Sequence, residues 1–153
     1  MGTELTAQSL TVTITEALAV DHANGATNDL DFAQTYTHTY ASIANVSKRV
    51  IKLANTNLTE VATFGSTTAD GAFVRADVRY IRVTNLDASD ALQVGLDDED
   101  SDAGYTSVAA DSSIIYTGTT VEGGNGGSTL DNATALKVKG VANQQLEVFI
   151  ASV

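Results

Sequence analysis

The chain contains no cysteine, no proline and no tryptophan among its 153 residues. Without cysteine there can be no disulfide, no zinc–thiolate site and no cysteine nucleophile. A secreted domain of this size can manage without disulfides, so the absence favours a reducing place of folding only weakly. With five Tyr and four Phe as the whole aromatic complement, the core has to be built from Val, Ile, Leu and Ala. Basic residues are scarce as well: eight Lys and Arg stand against nineteen Asp and Glu, a formal net charge of −11. Such a balance argues against nucleic acid as a direct partner, because phosphates need clustered cations. No window approaches the ~18 apolar residues of a membrane span. The N-terminus also lacks the basic flank and apolar run of a signal peptide. The expectation is a protein made in the cytoplasm that does not enter a membrane.

What is present reads as β structure. Hydrophobic residues make up 43 %, enough for a folded domain, and a chain of this length can bury one self-sufficient core. Residues 78–96 carry the clearest pattern. Ile81 and Val83 alternate with Tyr80, Arg82 and Thr84, and Leu92, Val94 and Leu96 alternate with Gln93 and Gly95. This period of two fits strands with one buried face. The break between them, Asn85-Leu86-Asp87-Ala88-Ser89-Asp90, is rich in residues whose side chains bond their own backbone in turns. Two antiparallel strands joined by a tight connection are therefore expected here.

The same period recurs along the chain. Leu10, Val12, Ile14, Leu18 and Val20 share one parity, with Thr11, Thr13 and Thr15 on the other. Thr35, Thr37 and Thr39 alternate with Tyr36, His38 and Tyr40, a face suited to an interface or a half-buried sheet surface. Further strands are expected at Val46–Leu53, Leu58–Phe64, Phe73–Asp77, Ala135–Lys139 and Gln145–Val153, with a hairpin from Tyr105 to Tyr116. A short helix fits only within residues 26–34 or 66–77. Nine or ten short strands at this spacing, with no repeat and no domain boundary, predict a single antiparallel β-sandwich over residues 9–153. A polar arm of residues 1–8 precedes it.

No motif in the sequence makes a convincing catalytic or metal site. The acidic stretch Asp97–Asp102 offers calcium candidates in Asp98, Asp100 and Asp102. Read as an EF-hand loop from Asp98, it places Ala103 where glycine is needed and Ala109 where the closing glutamate belongs, so a solvated loop is the simpler reading. Asp21, Asn24, Asn28, Asp29 and Asp31 form a second oxygen-rich stretch with the same ambiguity. His22 and His38 are the only histidines; the first reads as loop surface and the second as a packing residue. There is no Gly-x-Ser-x-Gly elbow, no phosphate-binding glycine pattern and no tryptophan platform for a sugar substrate. No enzyme and no cofactor are expected. The basic residues do cluster, at Lys48, Arg49 and Lys52, at Arg75, Arg79 and Arg82, and at Lys137 and Lys139. Each cluster balances nearby acids or meets an acidic patch on a partner.

The segment Arg79-Tyr80-Ile81-Arg82-Val83-Thr84-Asn85-Leu86-Asp87, followed by the strand Leu92–Leu96, resembles a hairpin found in small structural proteins of tailed phages, especially marine ones. Its form there is Arg-Tyr-aliphatic-Arg-aliphatic-x-Asn-x-Asp. The cysteine-free composition rich in Ala, Thr, Asn and Asp is similar, as is a first strand following a short polar arm. The resemblance covers under a fifth of the chain. It implies a capsid decoration, or cement, protein: a β-sandwich, often a jelly roll, that assembles as a homotrimer on the outer surface of the virion. Such proteins clamp neighbouring copies of the major capsid protein and use an N-terminal arm in the contact. Carried onto this chain, the contact residues expected are Leu5 in the arm with Lys48, Arg49, Lys52, Arg75, Tyr80 and Arg82. Two alternatives stay open: another phage part, such as a head fibre or a tail-associated sandwich, and a carbohydrate- or calcium-binding module of a bacterial surface protein.

Overall fold

A computed structural model describes residues 8–18, 32–67, 73–98, 104–117 and 133–153. The strands are β1 (Gln8–Leu18), β2 (Phe32–Ile43), β3 (Asn45–Lys52), β4 (Thr59–Gly65), β5 (Phe73–Val74), β6 (Val78–Asn85), β7 (Leu92–Asp98), β8 (Tyr105–Val108), β9 (Ser113–Thr117), β10 (Ala133–Lys139) and β11 (Gln145–Ser152). The one helical element among the described residues is a 3-10 turn, Arg75–Asp77. The protein is an all-β sandwich of two packed sheets with a separate two-stranded ribbon.

The first sheet runs β3-β11-β6-β9 and the second β5-β4-β10-β7-β8. All pairings are antiparallel except the two-residue contact of β5 with β4. The order repeats: where β3 neighbours β11 in one sheet, β4 neighbours β10 in the other, and β6-β9 is matched by β7-β8. Four of the crossings between the sheets come together at one seam, from β3 to β4, β6 to β7, β8 to β9 and β10 to β11. Four long segments are each bent once, and together they form a four-stranded sheet folded across its middle.

This corrects the expected hairpins. Strands β6 and β7 lie in different sheets, and so do β8 and β9. The turn chemistry of residues 85–90 is as expected, since the Asp87 carboxylate accepts the backbone N–H groups of Ser89 and Asp90 at 2.9 Å. The turn bends the chain across the sandwich instead of returning it along the same sheet.

Strand parity fixes the core. Ile81, Val83, Leu92, Val94, Leu136, Val138, Leu146, Val148 and Ile150 are at most 1 % exposed and pack between the sheets with Val61, Phe64 and Val108. The filling is almost wholly aliphatic, as the composition requires. At about 25 cal/mol per Å² of apolar surface, burying it is the main driving term for folding.

Two polar side chains are buried with this core at the bend, Asn85 and Gln144, each 1 % exposed. The Asn85 amide nitrogen donates to the carbonyls of Asp90 (2.7 Å) and Ala109 (3.0 Å), and its oxygen accepts from the Asp87 N–H (3.1 Å). Gln144 donates to the Asn85 side-chain oxygen (3.0 Å) and the Asp90 carbonyl (3.1 Å), and accepts from the Val141 N–H (2.9 Å). Backbone bonds complete the seam: Leu53 N–H to Gln144, Asn143 N–H to Leu53, Leu86 N–H to Gln145 and Asp111 N–H to Asp87, all 2.8–3.0 Å. Each of these four crossings is therefore tied to at least one other. Asp111 and Asn143 adopt left-handed backbone (φ 51° and 72°) in the two turns that need it, a conformation Asp and Asn tolerate better than most residues.

The Asn85→Ala variant should lose about 2–4 kcal/mol of unfolding free energy in urea titration, because several buried groups lose their partner at once. Gly140→Ala should be comparably damaging, since its Cβ would stand 1.9 Å from Gln144 Oε1 and 3.0 Å from Leu53 Cδ1. An exposed control, Lys52→Ala, should shift stability by less than about 0.5 kcal/mol.

Candidate assembly surface

Strands β1 and β2 form a ribbon of their own. Its outward face is a threonine ladder: Thr11–Thr39, Thr13–Thr37 and Thr15–Thr35 are directly opposed, with hydroxyls 3.2, 3.5 and 3.4 Å apart. Its inner face carries the opposed pairs Leu10–Tyr40, Val12–His38, Ile14–Tyr36 and Glu16–Gln34. At the base, Gln8 pairs with Ile43 but Leu10 with Tyr40, so Ala41 and Ser42 together oppose Ser9. Ser42 takes a left-handed conformation there (φ 61°). This bulge resets the parity of β2 and aims both Tyr40 and Ile43 at the sandwich.

The ribbon docks on the outer face of the first sheet through a second, smaller cluster. Ile43, Tyr80 and Ala151 are buried in it, with Leu10, Val12, Tyr40, Ile115 and Phe149 packed around them. The Tyr80 ring lies 6.1 Å from that of Tyr40 and 5.8 Å, edge-on, from that of Phe149, geometry that favours aromatic pairs. Burial pushes the Tyr80 hydroxyl above its ordinary pKa, although neighbouring Arg82 pulls the other way.

Beside the cluster lies a small charged group. Arg82 donates to Glu147 Oε1 at 2.6 Å, Lys48 approaches Oε2 at 3.2 Å, and the Arg82 guanidinium stands 5.7 Å from the Phe149 ring centre. Arg82 Nε is buried without an acceptor among the described residues. Partial burial alone would raise the Glu147 pKa, but the two cations outweigh it and hold the carboxyl below its ordinary value. With Arg82 36 % and Lys48 60 % exposed, such ion pairs contribute about 1 kcal/mol or less each.

The ribbon stands proud of the sheet, with a groove on each flank. One, of about 460 Å³, lies between Leu10–Ile14 and a floor of Lys48, Arg82 and Phe149. The other, of about 480 Å³, lies between Tyr36, His38 and the β9 residues Ile115 and Thr117. Farther out, cover runs short: Ile14 is 44 % and Tyr36 49 % exposed.

Of the residues singled out by sequence, Lys48, Tyr80 and Arg82 come together here. Tyr80 is 4 % exposed, so within this subunit it packs beneath the ribbon. Arg49 points elsewhere, donating to the Val61 carbonyl at 2.5 Å and tying the β3 edge to β4. Lys52 is exposed at the end of β3, and Arg75 sits in the 3-10 turn. Leu5 and residues 1–7 of the arm, Asp100, Asp102 and the stretch 21–31 with His22 lie outside the described residues, as does the side chain of Asp98. Among the described residues no group of three or more His, Cys, Asp or Glu side chains could hold a metal ion. Glu147, which joins Lys48 to Arg82, carried no signal in the sequence; nothing short of the β3-β11-β6 pairing brings it between them.

The outer face of the second sheet carries a different arrangement. Lys137 is ion-paired with Asp97, which raises its pKa. The ring of Tyr105 lies on Gly95, where a Cβ would come within 2.7 Å of it. A hollow of about 310 Å³ beside it is lined by Asn57, Leu58, Gln93 and Lys139.

Comparison with known protein families, curated proteins and solved structures finds no match. Function has to be argued from the surface itself.

A lowered carboxyl pKa stabilises the fold above the unfolded-state value, and that contribution is lost as pH falls through the folded one. Glu147 therefore contributes in full at neutral pH and progressively less below its ordinary value of 4.5. Asp87, held down by the Asp90 and Ser89 N–H groups, behaves likewise below 3.8. In thermal melts from pH 7 to 3, the stability gap between the native chain and Glu147→Gln should narrow below about pH 4.5. A gap that stays constant would show that the Lys48–Glu147–Arg82 group contributes nothing through its charge.

Proposed function

We propose that this chain is a non-enzymatic virion structural protein that docks on the outer surface of an assembled phage capsid and stabilises the shell. The observation that carries the reading is the β1–β2 ribbon. The sandwich closes its aliphatic core without it, yet eleven- and twelve-residue strands are spent on a ribbon whose far inner face stays uncovered. A projecting element with an apolar face is what an assembly protein needs and a free-standing domain does not.

Other features agree. The strand orders β3-β11-β6-β9 and β4-β10-β7-β8, with four crossings at one seam, support assigning the sandwich to the jelly-roll class, as does the resemblance of residues 79–87 to phage structural proteins. A net charge of −11 favours solubility before docking, while Lys48 and Arg82 offer a local basic patch to an acidic shell surface. In this reading the partner is the major capsid protein and the decoration unit is a homotrimer, so weak contacts are multiplied by avidity. The arm of residues 1–8, with Leu5, adds to the contact.

A second reading is favoured by one specific feature. Tyr105, 40 % exposed and packed against Gly95 beside Asn57, Gln93 and Lys139, is the kind of aromatic side chain on which a saccharide ring stacks.

Purified protein mixed with undecorated shells of its phage should sediment with them and raise the temperature at which they rupture. Removing residues 1–7 should weaken that binding. Failure to bind shells, or density at the tail instead of the shell in a virion map, would count against the decoration role. Saturable binding of polysaccharide that is lost in Tyr105→Ala would favour the second reading.

A further inference from the structure

Exposed apolar side chains are not spread evenly over the subunit. Of the eight large hydrophobics exposed among the described residues, four lie on the ribbon side: Ile14 and Tyr36 on the ribbon, Val46 (58 %) and Val50 (61 %) on β3. The two pairs sit on either side of the groove that Ile14 and Lys48 line. Strands β3 and β9 are the two edges of the first sheet. The ribbon crosses toward β9, where Ile14 and Tyr36 share a groove with Ile115 and Thr117. Both ribbon strands continue for four more residues, to Leu18 and Phe32, about 13 Å farther at strand rise.

The charges beside the two pairs are complementary. The inner row of β1 runs Val12, Ile14, Glu16, apolar then acidic. The outer row of β3 runs Val46, Lys48, Val50, Lys52, apolar alternating with basic. Lys48 is already paired with Glu147, but among the described residues neither Glu16 nor Lys52 has an ion-pair partner, and Ile14, Tyr36, Val46 and Val50 are left exposed.

We infer that the far inner face of the β1–β2 ribbon of one copy lies over the outer row of β3 in a second copy, with Ile14 and Tyr36 on Val46 and Val50 and with Glu16 facing Lys52. The contact is head-to-tail: the β9 edge of one sheet comes beside the β3 edge of the next, and a rotation that closes gives a ring. The inference deepens the proposed homotrimer and rests on it only for the number of copies; the contact itself is independent of any shell.

Sedimentation of the full chain tests it. The native protein should run as a defined multiple of its 15.9 kDa, three in the reading above. Ile14→Asp and Val50→Asp, both at exposed positions, should each give folded single copies whose melting temperature no longer depends on protein concentration. Glu16→Lys and Lys52→Glu should each raise the dissociation constant roughly fivefold or more, and the combined variant should restore it. A native protein that stays at one copy's mass at millimolar concentration overturns the inference, even if it binds shells. An assembly that survives both Asp substitutions overturns it too, as does a charge reversal that its complement fails to rescue. Should Ile14→Asp abolish shell binding while leaving the mass unchanged, the ribbon's occupant is the shell and not a second copy. An intact ring that does not bind shells would leave this contact standing and remove the decoration role instead.

Discussion

The buried pair Asn85 and Gln144 is the constraint around which the sandwich is arranged. Bringing four sheet-to-sheet crossings together leaves a cluster of carbonyl and N–H groups away from water, and each would cost free energy if unpaired. Two amide side chains meet that demand because each has donors and acceptors. Asn85 reaches the crossings after β6 and β8, while Gln144 joins its own crossing to Asn85 and, through its backbone, to Leu53 at the end of β3. Leucine in either place would fill the volume and strand the polar groups around it. The tight approach of Gly140 belongs to the same device, since only a hydrogen there leaves room for the Gln144 amide.

With that seam fixed, the two outer faces are free to differ. The second sheet carries short-range pairings, Lys137 with Asp97 and Tyr105 over Gly95, that complete themselves within the subunit. The first sheet is only partly completed by the ribbon. Near the bulge at Ser42 the ribbon contributes Tyr40 and Ile43 to a packed cluster; farther out, the same alternation continues with less beneath it. One repeating pattern thus serves as core at one end and as surface at the other, and the boundary is set by where the sheet ends.

How much of this could be read from the sequence follows from the range of each interaction. Face assignment was legible, because parity is local: Ile81 and Val83 against Tyr80 and Arg82, or Leu146, Val148 and Ile150 on a single face, need only their neighbours. The bend at residues 85–90 was legible as a turn, from the tendency of Asn and Asp to bond their own backbone. That it crosses the sandwich was not, because the choice depends on Ala109 and Gln144, distant in sequence. The basic residues show the same limit. Proximity in sequence groups Lys48 with Arg49, yet strand parity sends one outward and the other to the edge beside Val61. Lys48 meets Arg82 only through Glu147, on a strand about a hundred residues away. The row Tyr36-His38-Tyr40 was recognisable as one sheet face, suited to an interface or to half-burial, but its pairing with β1 joins residues far apart in sequence and is a property of the folded ribbon.

The folded four-stranded sheet also governs how the molecule carries load. Each long segment belongs to both sheets, so neither sheet can be peeled away without drawing a covalently continuous strand out of the other. A pull on the ribbon at the base of β3 passes through the Leu53 crossing into β4 and, through the hydrogen bonds at Gln144, into β10 and β11. Force entering on one face is spread over the whole hydrogen-bonded body before any single strand can slip. A subunit so connected would give way as a unit instead of unravelling from one side.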